Sequence, residues 1–148
     1  MPSQQDPDFE RYPETVLHFN GDSPFEVDLR RIPSMRDIER LRRLGLDGSF
    51  AVVTAHDPEG RDLDAAENER RNEALANRLT AGGISFAAVD ACSPDGKHRE
   101  SSVAIETPLE PSIELARDFG QVAIFWFDGS RFWIESVIRT VPAILLPR

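Results

Sequence analysis

The chain has 148 residues, of which 40% are hydrophobic, so it is long enough to bury a core and is predicted to form a single domain over residues 1–148. Its formal net charge of −9 argues against a nucleic-acid partner, because phosphate binding requires a basic face. No apolar run approaches the roughly 20 residues that span a bilayer, and the polar, acidic N-terminus lacks the pattern of a secretory signal. We therefore expect a cytoplasmic protein that binds neither nucleic acid nor membranes.

The first part of the chain predicts a tail and a small extension. Residues 1–12 are polar and proline-containing, which is typical of a flexible N-terminal tail. Strands are predicted over residues 15–19 and 25–29. A helix with one apolar stripe is predicted to begin at Ser34 and to end at Gly45.

The central stretch begins with an apolar, β-branched run at residues 50–55, which is typical of a strand covered on both faces. The sequence HDPEG then predicts a turn, and Asp64 can cap a helix that Gly82 and Gly83 end. Further strands are predicted at the following ranges: 84–91, 101–106, 122–127 and 132–138.

A short helix that ends at Gly120 separates the second and third of these strands, which gives the order β-α-β-β-α-β-β. This order predicts an α+β fold with a ferredoxin-like split βαβ arrangement and an N-terminal strand and helix extension. A helix-covered mixed sheet of another topology is the alternative. The core is predicted to contain Val52, Val53, Leu75, Leu79, Ile84, Phe86, Ile105, Phe119, Ile124 and Phe125.

Four short blocks in this region carry a family resemblance: TAHDPEGRDL, ENERRNEAL, SPDGKHRES and DFGQVAIFWF. In their order and spacing they resemble the bacterial DUF3293 family over about residues 50–127, within a family-like core at residues 50–138. The resemblance implies a small soluble bacterial domain of unknown activity, and it carries over no catalytic residues. The chain departs from the family pattern at Asp57, where Asn is usual, and at His98, where Trp is usual.

Nucleophile and metal chemistry are only weakly indicated. Cys92 is the only cysteine, so an internal disulfide is excluded, and a Cys-His pair would require His56 or His98 within hydrogen-bond reach. His56, Asp57, His98 and Glu100 have ligand chemistry but no metal-site spacing. We therefore predict no metal and no cofactor, and the catalytic residues, if the protein is an enzyme, stay unknown.

Polar residues from four separate blocks are predicted to meet at one end of the sheet. If the strand at 50–55 runs towards that end, the following helix starts there, and the strands at 101–106 and 122–127 begin there. The candidate ligand-binding residues are Thr54, Asp57, Asn68, Arg71, Asn72, Glu100, Ser102 and Gln121. A helix N-terminus at this end would favour a small anionic or polar ligand. The alternative is a structural network in which Glu100 and Arg71 satisfy each other and the loop amides.

A non-catalytic role in self-association or in binding another protein is the second functional hypothesis. The aromatic run at residues 122–138 would leave an open strand edge near the C-terminus, and such edges need cover. Either a homodimer or the apolar tail at residues 141–146 is expected to cover it, the tail as an edge strand or as a packed segment.

Overall fold

The computed structural model describes residues 9–58, 63–137 and 141–148. Across these residues, a 3-10 helix, three α-helices and one antiparallel sheet of eight strands are formed. The predicted α+β class is therefore confirmed. The elements in chain order are the 3-10 helix Phe9–Glu14, β1 Val16–Phe19, β2 Phe25–Asp28, α1 Met35–Arg43, β3 Phe50–Thr54, α2 Ala65–Ala81, β4 Phe86–Cys92, β5 Arg99–Ile105, α3 Leu109–Asp118, β6 Ala123–Phe127, β7 Phe132–Ser136 and β8 Ile144–Leu145.

Parts of the predictions fall where the structure gives no description. Residues 1–8 of the predicted tail, Glu59 and Gly60 of the predicted turn, and Ile138 at the predicted end of a strand lie outside the described residues. Residues 9–12 of the predicted tail form the first part of the 3-10 helix.

The helix ends follow the local signals in the sequence. The Ser34 hydroxyl accepts a hydrogen bond from the Asp37 amide at 3.1 Å, and the Asp37 carboxylate accepts one from the Ser34 amide at 2.9 Å. The Asp64 carboxylate likewise accepts from the Glu67 amide at 2.8 Å at the start of α2. Gly83 follows α2 with φ +71°, a conformation that glycine adopts without the steric cost of a side chain.

The sheet has the strand order β2-β1-β4-β5-β3-β6-β7-β8. Strands β3 and β4 flank β5 and are each antiparallel to it, so they run in the same direction and α2 connects them across β5. The hairpin β1–β2 extends the sheet beyond β4, and β7 with β8 extends it beyond β6.

The two faces of the sheet bury different cores. One face packs against α2 and α3, where Val53, Leu75 and Ile113 are buried in one cluster. The other face buries a cluster that includes Phe19 of β1 and Phe132 of β7. Because β1 and β7 lie towards opposite edges of the sheet, their shared cluster requires the sheet to curl around it. We call this inner side the concave face.

Most of the predicted core is buried. The buried residues are Val52, Val53, Leu75, Leu79, Ile105, Ile124 and Phe125, while Ile84 and Phe119 are partly buried against the helix-side core. The prediction was wrong for Phe86, whose exposed fraction is 39%. Phe86 and Ala88 lie on the same face of β4 and are both exposed, and the helix-side cluster contains no residue of β4.

Candidate functional site

A cavity lies at one end of the concave face, where the side chains on the strands become small. At the other end Phe50, Phe127 and Phe132 pack closely, with ring centroids of Phe127 and Phe132 separated by 4.8 Å. Along the same face, the cavity end carries Thr54, Ala91, Ser102 and Ala123. These residues leave space between the curled strands for a small cavity of about 30 Å³. A larger cavity of about 630 Å³ lies beside it and is bordered by the 3-10 helix, the loop after β3 and the turn between β4 and β5.

Two aromatic rings border both cavities. Tyr12 of the 3-10 helix and Phe125 of β6 lie with ring centroids 5.9 Å apart. Sequence reasoning missed Tyr12 because it lies in the stretch predicted as tail. The sequence did contain one signal, the aromatic Tyr12 beside Pro13 at the end of that polar stretch. In the structure Pro13 is buried.

The turn between β4 and β5 forms part of the cavity rim, and hydrogen bonds fix its shape. The Ser93 hydroxyl donates to Asp95 Oδ1 at 2.6 Å, and the Lys97 amide donates to the same oxygen at 3.0 Å. These bonds lower the pKa of the Asp95 carboxyl. The turn thereby presents the side chains of Lys97 and His98 at the rim.

Cys92 lines the cavity but has the environment of a buried thiol. Its exposed fraction is 3%, and burial raises the pKa of the thiol, which disfavours the thiolate. His98 also lines the cavity, whereas His56 contacts α2. This arrangement gives no support to a Cys92 nucleophile activated by His56.

Polar residues of α2 hold the loop that follows β3. Asn68 Oδ1 accepts from the Asp57 amide at 3.0 Å, and Asn68 Nδ2 donates to Asp57 Oδ1 at 2.9 Å. Asp57 has φ +41°, so this pair of bonds stabilises a backbone conformation that non-glycine residues seldom adopt. The loop conformation therefore explains why an asparagine occupies this buried helix position.

Arg71 and Asn72 extend this contact. Arg71 Nε donates to the Ala55 carbonyl at 2.6 Å, and Arg71 Nη2 donates to the Phe119 carbonyl. Asn72 Nδ2 lies 2.9 Å from His56 Nε2. We call Asn68, Arg71 and Asn72 the loop anchor. No ion pair joins Arg71 to Glu100, although the structure describes both residues, so the structural network predicted from sequence forms with different partners.

The eight predicted ligand-binding residues come together at the same end of the sheet but divide into two groups. Asp57 and Glu100 line the larger cavity, and Thr54, Glu100, Ser102 and Gln121 line the smaller one. The loop anchor stands behind the loop and lines neither cavity. Its hydrogen bonds have a structural explanation, so the cavity-lining group carries the ligand-binding hypothesis.

The charges around the cavity are mixed. Arg11, Lys97 and Arg99 line it together with acidic residues, but Arg99 Nε already donates to Asp90 Oδ2 at 2.8 Å. No residue of α2 lines either cavity, so the helix N-terminus expected to attract an anion does not contribute here. Within the described part of the chain, no group of three or more His, Cys, Asp or Glu residues is placed to hold a metal ion.

The comparison with known families agrees with the blocks seen in the sequence. Residues 53–124 match the family model described as "Protein of unknown function (DUF3293)". The resemblance to DUF3293 is confirmed. The DUF3293 segment runs from β3 into β6 and so contains Asp57, the β4–β5 turn and Gln121. Comparison with curated proteins and with solved structures gave no match.

The aromatic hairpin β6–β7 lies mainly in the core. Phe125, Phe127 and Phe132 are buried on the concave face. Strand β8 pairs with β7 through Trp133↔Leu145 and Ile134↔Ile144, so the tail covers the edge that motivated the homodimer hypothesis. The homodimer stays a prediction, but an open edge of β7 no longer supports it. None of the described helices has the length and apolar character needed to cross a membrane.

Proposed function

We propose that the protein binds a small polar molecule in the cavity at the end of the concave face. One observation carries this proposal: a cavity of about 630 Å³ that is lined by two aromatic rings and by polar side chains. This volume lies within the range of small-molecule sites, roughly 300–1,000 Å³, which combine apolar walls with a few polar groups. Binding, rather than a named reaction, is what these residues support.

The construction of the cavity supports the same proposal. The loop anchor and the β4–β5 turn hold the residues that border the cavity with hydrogen bonds of their own. A site that is held in shape before binding loses less conformational freedom when a ligand enters. In addition, three of the four blocks that resemble DUF3293 contribute residues to the cavities, and the fourth contains the loop anchor.

A thermal-shift screen of polar metabolites tests the proposal with two matched variants on β4. Ala91 lines both cavities, so Ala91→Leu is designed to project into them and obstruct binding, whereas Ala88→Leu adds the same side chain to an exposed position. A ligand at about a hundredfold excess over Kd adds about 2.7 kcal/mol to the free energy of unfolding. For a chain of this size that corresponds to a rise in Tm of about 5–10 °C.

We expect a ligand that stabilises the wild-type protein to stabilise Ala88→Leu equally and to have little effect on Ala91→Leu. Equal stabilisation of both variants would place the ligand outside the cavity and would contradict the proposal. Circular dichroism of the two variants without ligand checks that each one folds.

We also propose that β3, α2, β4, β5, α3 and β6 form a ferredoxin-like split βαβ unit. The order β4-β5-β3-β6, the antiparallel pairing of neighbours and the helices after β3 and β5 support this. An experimental structure with another order of these four strands would contradict it.

A further inference from the structure

Helix α1 and the turn before it carry a concentration of positive charge away from the cavities. Residues 30–43 contain six arginines and two acidic residues, a net charge of +4, whereas the rest of the chain has 11 basic and 24 acidic residues and a net charge of −13. The structure describes all of α1, and none of its residues lines either cavity. One short segment of an otherwise acidic protein is therefore strongly basic and has no part in the proposed binding site.

The packing of α1 directs its charged side chains outward. Leu41 is fully buried in the concave core and Ile38 packs against the same core, which fixes the inner side of the helix. The opposite side carries five exposed residues, which we call the α1 face: Met35, Arg36, Glu39, Arg42 and Arg43. They share one side because residues three and four apart are neighbours on a helix.

Two arginines of the α1 face have no charged partner inside the protein. Arg43 Nη2 donates to Glu39 Oε1 at 2.8 Å, so these two charges satisfy each other. The side chains of Arg36 and Arg42 form no ion pair and no hydrogen bond within the part of the chain that the structure describes. Arg36 also lies in the first turn of α1, where the helix dipole disfavours a positive charge, and Arg40 follows it four residues later with the same charge. These unfavourable placements are not offset by a contact within the protein.

Exposed apolar side chains lie beside these charges. Met35 has an exposed fraction of 82% and Ile32, in the turn before α1, one of 61%, the two highest values among the large apolar residues that the structure describes. Methionine and arginine are enriched in protein–protein interfaces, where lysine and glutamate are depleted. Unpaired arginines beside exposed apolar side chains are therefore typical of a surface that another protein covers.

We propose that the α1 face binds an acidic segment of another protein that carries an apolar side chain. Carboxylates of that segment pair with Arg36 and Arg42, and its apolar side chain packs against Met35 and Ile32. A membrane or a nucleic acid fits this surface less well, because either one extends beyond α1 and faces the net charge of −13 on the rest of the chain. A short acidic segment can contact the α1 face alone.

A fluorescently labelled peptide of glutamates interrupted by leucines tests the proposal by fluorescence anisotropy with the full-length protein. The control peptide has glutamine in place of each glutamate, and we expect it to bind at least about tenfold more weakly. Arg36→Gln and Arg42→Gln should each weaken the acidic peptide about fivefold. Arg70→Gln removes the same charge from an exposed position of α2, which packs on the other side of the sheet, and should leave the affinity unchanged. Met35→Ser should weaken binding about threefold, which attraction between charges alone would not cause.

The outcomes distinguish the possible occupants of the α1 face. Equal binding of the two peptides, or an unchanged affinity in both arginine variants, would overturn the inference. Tighter binding of a single-stranded oligonucleotide or of phosphatidylserine vesicles than of the acidic peptide would also overturn it. The same holds for a dimer in light scattering that Arg42→Gln dissociates, because a second copy of this chain would then be the occupant. Circular dichroism checks that each variant folds, and the comparison of the two peptides on the wild-type protein needs no variant. None of these results affects the proposed cavity, which α1 does not line.

Discussion

Replacing Gly120 with alanine should destabilise the protein through two separate effects. Gly120 follows α3 with φ +74°, and a side chain in this left-handed conformation costs about 1 kcal/mol. A Cβ built at this position would also lie only 2.7 Å from Pro58 Cβ. Pro58 is a rigid ring and is buried, so relieving this contact requires the loop to move, at a cost of about 1–3 kcal/mol. We expect Gly120→Ala to lower the free energy of unfolding by about 2–4 kcal/mol.

Gly83 provides a matched control. It follows α2 with φ +71°, but a Cβ there would meet no atom within 4 Å. Gly83→Ala should therefore show only the conformational cost of about 1 kcal/mol. Urea unfolding followed by circular dichroism measures both losses, and their difference isolates the contact with Pro58. Losses that agree to within about 0.5 kcal/mol would refute the close approach of Gly120 to the loop.

Three further predictions concern the core and the loop. Leu75 is 2% exposed, so Leu75→Ala should lower the free energy of unfolding in urea by about 2–5 kcal/mol. A loss below about half a kcal/mol would show that this face of α2 does not pack against the sheet. Asn68→Ala should lower the free energy of unfolding by about 1–3 kcal/mol, because it removes two hydrogen bonds to Asp57. The control Asn77→Ala, on the exposed face of α2, should change it by no more than about 0.5 kcal/mol, and similar losses in the two variants would contradict the anchoring role of Asn68. Burial lowers the pKa of His56 from its ordinary value of 6.5, so the unfolded chain binds a proton at this ring more readily than the folded protein does. The stability that the neutral ring contributes is therefore complete above pH 6.5 and falls as the pH is lowered below that value. His56→Gln should therefore flatten the dependence of the unfolding free energy on pH between about pH 7.5 and pH 5, and an unchanged dependence would contradict the assignment.

The local elements of this protein follow from its sequence because their signals act over a few residues. Ser34 with Asp37, and Asp64 with Glu67, begin helices through bonds between neighbours along the chain. The apolar run of β3 indicates a strand buried on both faces, and its residues do contribute to both cores. The blocks of the DUF3293 segment are likewise readable as short stretches.

The sequence identified the candidate residues, but it could not show which of them hold the loop and which line the cavities. Asn68 and Glu100 are both polar residues at the same end of the sheet, and their residue types do not distinguish a loop anchor from a cavity wall. That distinction depends on which neighbour each side chain meets, such as Asp57 for Asn68, 11 residues away. The cavity-lining role of Tyr12 depends on packing against Phe125, more than a hundred residues further along the chain.

What the sequence by itself determined is therefore the three α-helices, the strands β1 to β7, the resemblance to DUF3293 and the end of the sheet where polar residues gather, because helix caps, apolar periodicity and chain direction are local properties. Only the tertiary structure decided that β1 pairs with β4, that the sheet curls around a second core, and that this curl leaves a cavity. The physical reason is that strand pairing and curvature arise from contacts between distant segments. The volume left between them depends on the sizes of side chains that meet across the sheet.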